Sequence, residues 1–304
     1  MRETIYSQQR IKRFFLLVFF ALLVACDAPL SSTPEATQPP QIIYSIATPE
    51  NTPTNIPATP TPTRVPPTPT AFATAPANGQ PGIVPILMYH HLADLSSTAS
   101  ELVLTWTVAP KKFQAQMDWL SQQGYHTITM GQLVAYLRDR KPLPSKPIVI
   151  TFDDGWLEQY VTAFPVLKKY NFIGTFFVYT NAIDHGQFMT WAQLQEMSSV
   201  GMDIQSHTQT HPHLRLLSAD AAFKEISESK AIIEKRLGKP VTAFNYPDGE
   251  YNTAIIEMLK RAGYDSAVTI AAGYKQRANE LYLLHRIRVS YKDSLDDFIK
   301  RLPQ

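Results

Sequence analysis

Two clusters of residues in this 304-residue chain combine side chains and spacings that could do chemistry. In the first, Pro147-Ile-Val-Ile-Thr-Phe-Asp-Asp-Gly155 runs an apolar stretch straight into two neighbouring carboxylates, Asp153 and Asp154. Alone, Asp-Asp-Gly after an apolar strand is ordinary turn chemistry. Partners come fifty residues on, where Asp203-Ile-Gln-Ser-His-Thr-Gln-Thr-His-Pro-His213 packs three of the eight histidines into seven positions. His207 and His211 are four apart, so a helical or turn-like loop can aim both imidazoles at one point. A divalent ion such as Zn²⁺ takes about four ligands, commonly imidazole and carboxylate, and a catalytic site leaves one position for water. One carboxylate of the Asp153 and Asp154 pair would complete that set while its neighbour takes a proton from the water. The expected cofactor is therefore a divalent metal, Zn²⁺ first, with Co²⁺ or Ni²⁺ as alternatives. His213 reads as a bystander or an outer support, and His126 and His185, which have no nearby partner, read as solvated.

The elements that must carry these groups alternate along the chain. Hydrophobic periodicity and stop signals predict strands over 83–89, 148–152, 174–179, 202–205, 241–246, 266–270 and 283–289. Helices are expected over 111–123, 130–138, 156–170, 190–200, 218–237, 253–262 and 294–302, several opened by capping residues and closed by glycine. Strands separated by helices imply parallel crossovers, and about seven of them favour a closed barrel over an open sheet. In such a barrel the functional groups gather at the C-terminal strand ends. Asp153, Asp154, His207, Pro247 and Asp248 all fall just after an expected strand.

Ahead of this part lie two segments of another kind. Arg10, Lys12 and Arg13 precede an apolar run from Phe14 to Ala25 that ends at Cys26, the pattern of a secretory signal peptide over residues 1–25. Leu23-Val-Ala-Cys26 resembles the bacterial lipobox, whose cysteine is lipidated. Cys26 is the single cysteine of the chain, so no internal disulfide competes for its thiol. Residues 26–81 are dominated by Pro, Thr, Ala and Ser, a composition that cannot bury enough apolar surface to offset its ordering entropy, and read as a disordered tether. Residues 82–304 are long enough for one sizeable domain. The net charge of +2, with no basic block outside the leader, indicates neither nucleic acid nor a polyanion as partner.

Taken together, Thr151-Phe-Asp-Asp-Gly155, His207-Thr-Gln-Thr-His211 and Phe244-Asn-Tyr-Pro-Asp-Gly249 resemble the motifs of the polysaccharide deacetylases, the NodB-homology group of carbohydrate esterase family 4. The start, Pro85-Ile-Leu-Met-Tyr-His-His91, and Met117-Asp-Trp-Leu-Ser-Gln-Gln-Gly-Tyr125 are similar to the branch that includes the deacetylases of poly-N-acetylglucosamine. The resemblance spans roughly Ile83 to Val289. It implies an α/β fold, a distorted (β/α)₇ barrel of the NodB type, here preceded by the disordered linker. It also implies that Asp154, His207 and His211 bind the metal, that Asp153 is the general base, and that the backbone amide of Asp248 donates to the oxyanion.

For the general acid the resemblance implies two candidates: His285 in Leu283-Leu-His285, which matches a late Leu-x-His of many family members, and His90 at the end of the first strand, where the branch with the early Tyr-His signature places its histidine; His90 is favoured. Trp156, Trp191 and Tyr251 are candidates for stacking on sugar faces, and Tyr246 and Asp248 for lining the substrate site. The family's third motif commonly carries an arginine where this chain has Asn245, and an aromatic where it has Asp248. That departure motivates an alternative, a membrane-tethered glycan-binding module with a weakened or inactive site, with Asp248 raising the pKa of Asp153. The implied partner is a polymer of N-acetylglucosamine, whether peptidoglycan, poly-N-acetylglucosamine or chitin-like, chosen by loops such as 92–107 and 183–189. An extracytoplasmic monomer, anchored to the membrane by lipidated Cys26, is expected.

Overall fold

The computed structural model describes residues 72–77 and 79–303. The leader, Cys26 and the Pro/Thr-rich segment up to residue 71 lie outside the described residues. Among those described, no helix is long and apolar enough to cross a membrane.

Seven strands form the centre: β1 (Ile86–Tyr89), β2 (Pro147–Asp154), β3 (Thr175–Val178), β4 (Asp203–Ser206), β5 (Ala243–Asn245), β6 (Ser266–Ala272) and β7 (Leu284–Arg288). All neighbouring pairs are parallel, in the order β1-β7-β6-β5-β4-β3-β2. Pairing of β1 with β2, Ile86 opposite Val149 through Tyr89 opposite Phe152, closes the barrel. Helices Pro110–Gln122, Phe164–Tyr170, Trp191–Ser199, Ala219–Leu237, Thr253–Arg261 and Leu295–Arg301 accompany it, as expected of a (β/α)₇ fold. One crossover departs from the rule: β6 reaches β7 through the short strand Lys275–Gln276 and the turn Ala278–Glu280, without an α-helix.

Strand alternation divides the core into two layers. Leu87, Tyr89, Ile150, Phe152, Phe176, Ile204, Phe244 and Ile287 face outward into the strand–helix layer. Ile86, Val149, Phe177, Ala243, Val268 and Leu284 fill the interior. Met130, Leu133 and Leu137 of the helix Met130–Arg138 join that inner cluster and plug the N-terminal end of the barrel. The opposite end stays open for the polar residues.

Four expectations change in detail. The first strand breaks at Val84-Pro85: Gly82–Ile83 pairs antiparallel with Lys275–Gln276, and β1 starts at Ile86. The strand leading into the carboxylates runs to Asp154 instead of ending at Phe152, because Asp153 and Asp154 continue the ladder opposite Phe177 and Val178. The helix expected over 156–170 begins as a wide turn, Gln159–Ala163, and is α-helical only over Phe164–Tyr170. Finally, Phe72–Ala73, in the segment whose composition reads as tether, pairs antiparallel with Leu143–Pro144. The Tyr136 hydroxyl donates to the Thr74 carbonyl beside it. Phe72 stands in the run Ala71-Phe-Ala-Thr-Ala-Pro-Ala77, and backbone pairing gives it a local partner.

Candidate active site

A cavity of about 280 Å³ opens at the C-terminal strand ends, lined by His90, His91, Asp153, Asp154, His207 and His211, with Trp106, Tyr246, Asp248, Gly249, Ile270 and Arg286 completing its wall. Asp153 projects into the barrel like Val149 and Thr151 before it. In an extended strand Asp154 would project the other way, with Phe152. Its φ of +76° takes it out of the extended region, and its Oδ1 comes to 3.5 Å from His207 Nε2 and 3.7 Å from His211 Nε2. Gly155 continues the turn at φ +87°, where a Cβ would stand 3.1 Å from Val178 Cγ1.

The histidine loop is strained in the same way. Thr208 is β-branched yet adopts φ +73°, and His211 follows at +56°, conformations that persist only where the surroundings over-determine them. Glu225, on the helix Ala219–Leu237, supplies part of that constraint: one of its oxygens accepts from the amides of Gln209 and Thr210, both at 2.9 Å. The other accepts from the Thr210 hydroxyl.

One ligand atom each of Asp154, His207 and His211 lies within 4.8 Å of the others, close enough to share one ion. The surrounding hydrogen bonds suit a metal. His207 Nδ1 lies 2.8 Å from the Asn245 carbonyl, which can only accept, so Nδ1 carries the proton and Nε2 offers a lone pair. Trp156 Nε1 donates to Asp154 Oδ2 at 2.9 Å, leaving Oδ1 for the imidazoles. Burial would push the Asp154 carboxyl up, but its bond to His207, and then the charges of His90, His207 and His211, hold it far below the usual range. His211 is lowered chiefly by burial and then by His207.

Asp153 is 2 % exposed and forms the other half of the site. Its Oδ1 takes a 2.7 Å bond from Arg286, and its Oδ2 lies 3.4 Å from His90 Nε2. Burial pushes its carboxyl up, yet Arg286 and then His90 more than reverse this, so it stays ionised and ready to accept a proton. Burial lowers His90, against the pull of Asp153 and Asp154.

Arg286 is one residue that sequence reasoning missed. Only 1 % exposed, it also donates to the Thr151 hydroxyl, the Thr269 carbonyl and Asn245 Oδ1. Asn245, in the place of the family's usual arginine, thus receives a guanidinium from another strand. Trp106 was missed too: the segment 92–107, expected as a loop, contains the short helix Glu101–Trp106, whose last residue packs 4.5 Å from His90 and carries the Arg288 guanidinium 4.1 Å above its ring.

Other sequence candidates are placed differently. His285 is not among the residues lining the cavity. Strand alternation turns it away from Arg286, and its ring packs against Gly273, where a Cβ would meet His285 Nδ1 at 2.8 Å. The strand is interrupted at His90, and His91 lines the cavity beside it. The Tyr246 side chain is buried and its hydroxyl donates to the Tyr282 carbonyl, so it shapes the wall without offering a polar contact. Trp156 supports Asp154 and is not on the cavity wall, and Trp191 packs under Arg236. Tyr251 stays 40 % exposed, 5.3 Å from the Tyr246 ring. Asp248, at φ +55°, turns its carboxylate to His213, 3.2 Å away, and Asp153 is lowered, not raised. His126 is half-buried with Nδ1 on the Ser145 carbonyl, while His185 is exposed.

Comparison with known proteins gives this geometry a family. The polysaccharide deacetylase model matches residues 140–267. YxkH of Bacillus subtilis (strain 168), a protein named for the same family, is 35 % identical over 211 residues, covering 69 % of this chain and 73 % of its own. The chain belongs to the polysaccharide deacetylases. Its matching portion contains both strand-end motifs of the site, and family membership makes it a hydrolase of carbon–nitrogen bonds. Another polysaccharide deacetylase relative, the poly-β-1,6-N-acetyl-D-glucosamine N-deacetylase of Staphylococcus epidermidis (strain ATCC 35984), is 29 % identical over 67 % of this chain and 74 % of its own. Among solved structures, the Streptococcus pyogenes deacetylase PplD in complex with acetate superposes with a TM-score of 0.69 at 32 % identity. It covers 74 % of this chain and all of that one.

Proposed function

We propose that this deacetylase is a divalent-metal enzyme, Zn²⁺ being the first choice, that removes acetyl groups from a polymer of N-acetylglucosamine outside the cytoplasm. One observation carries the reading: Asp154, His207 and His211 meet at one point while Asp153, tied to Arg286, stands beside it with His90. An ion held by those three supplies Lewis acidity, which polarises the acetamide carbonyl and makes water a better nucleophile. Asp153 Oδ2 accepts the proton of the attacking water while Arg286 keeps Oδ1 and the carboxylate plane fixed. The backbone amide of Asp248 donates to the oxygen on which negative charge develops. His90 protonates the departing nitrogen as the C–N bond breaks, giving acetate and the free amine. Trp106 and Ile270 shape the mouth through which the sugar enters.

The named activity of the Staphylococcus epidermidis relative supports poly-β-1,6-N-acetylglucosamine as the first substrate to try. The leader pattern and the lone Cys26 support export and a lipid anchor. Full-length protein supplied with Zn²⁺ or Co²⁺ is expected to release acetate from this polymer, and more slowly or not at all from peptidoglycan and chitin oligosaccharides. Polymer binding without acetate release, with the ion bound, would instead establish a glycan-binding module. Cys26→Ser is expected to move the protein from the membrane fraction to the soluble one.

A further inference from the structure

Deacetylation as derived above uses neither His91 nor Glu158, although both are built into the site. Trp156 Nε1 donates to Asp154 Oδ2, so the plane of the indole sets the plane of the carboxylate and hence the aim of Oδ1. Two rings hold that indole. Phe188 stacks on it with centroids 4.2 Å apart, and the His91 ring lies 4.4 Å away. His91 is fixed in turn by Glu158, Nδ1 to Oε1 at 2.7 Å. Glu158 is only 4 % exposed, and its second oxygen, Oε2, has no hydrogen-bond partner among the described residues. A buried carboxylate satisfied on one side is costly, and packing alone would be served better by an apolar residue.

We propose that the His91–Glu158 pair is a positioning device: it locks the Trp156 indole and thereby aims Asp154 at the point shared with His207 and His211. The proposal rests on the reading that these three residues hold a divalent ion. Support of this kind, in which a residue orients a ligand without touching the ion, typically sets metal affinity by a factor of ~10–100.

The test uses the full-length chain stripped by a chelator, with Zn²⁺ affinity read by competition against a chromophoric chelator and ligand geometry read from the visible spectrum of the Co²⁺ form. Trp156→Phe and His91→Phe are each expected to weaken Zn²⁺ roughly tenfold and to shift the Co²⁺ bands in the same direction. Glu158→Gln keeps an oxygen that accepts from Nδ1–H, so its affinity and spectrum should stay close to those of the parent chain. His91→Phe leaves Glu158 buried and unpaired, so the double variant His91→Phe/Glu158→Leu, which removes that charge, is measured beside it and is expected to fold and still bind Zn²⁺ weakly. Unchanged affinity and spectrum in both His91 variants, with tight binding by the parent chain, would overturn the positioning role alone. A parent chain that binds no Zn²⁺ would overturn it together with the metal reading.

Discussion

At the N-terminal end of the barrel Ile86, Val149, Ala243, Val268 and Leu284 fill the interior with apolar side chains, each no more than 1 % exposed. A pleat or two further on, the same strands place Thr151, Asp153, Asn245 and Arg286 inside, almost as deeply buried. One end is satisfied by shape and the other by charge and hydrogen bonds. The polar end also holds strain: Asp154, Thr208, His211 and Asp248 are four of the eight non-glycine described residues with positive φ. The difference teaches that a well-packed lower half lets the upper half keep conformations and charges that cost stability.

Substitutions at the two ends should therefore fail in different ways. The largest effect is expected from Asp153→Asn, which keeps shape but cannot accept a proton: turnover should fall on the order of 10²–10⁴-fold, with the ion still bound by metal analysis. Next come the two histidines that the sequence left as alternatives. His90→Ala should reduce kcat by about 10²-fold or more, whereas His285→Ala, on the outer side of β7, should leave the rate near that of the parent. An equal loss from both would break the distinction between the cavity and the far face of that strand. Arg286→Met is expected to cost roughly 3–5 kcal/mol in denaturant unfolding, because it leaves Asp153 buried without its cation, and to lower activity as well. At the apolar end, Ile86→Val should cost only about 0.5–1.5 kcal/mol and leave kcat/KM unchanged.

What the sequence made legible was local. Thr151-Phe-Asp-Asp-Gly155 and His207-Thr-Gln-Thr-His211 each carry their groups within a few residues, and the alternation of strand and helix announced the seven-stranded barrel. Arg286 escaped because its partners come from β2, β5 and β6, which meet it only when the barrel closes. A cue existed: a charged residue one pleat from Leu284, on the inward face of an expected strand, demands a buried carboxylate. His285 looked attractive in a motif, yet its neighbour holds the inward position and the period of two excludes both. Trp106 ends the six-residue helix Glu101–Trp106, too short to show a hydrophobic period, and the roles of Trp156 and Tyr246 depended on which edge of each ring found a partner. The concern over Asp248 dissolved because Arg286 and His90 hold Asp153 ionised, while the Asp248 carboxylate turns to His213, two residues beyond the last site histidine.

The central claim is that Asp154, His207 and His211 share one divalent ion. It is tested most directly by anomalous diffraction at the zinc edge from crystals of the Zn²⁺-loaded chain, beside Zn²⁺ titration of the parent and of His207→Ala. The account predicts one strong peak at ~2.0–2.2 Å from an oxygen of Asp154 and a nitrogen of each histidine, with affinity collapsing in the variant. A parent chain that takes up no ion, or an ion seated away from these three residues, would contradict it.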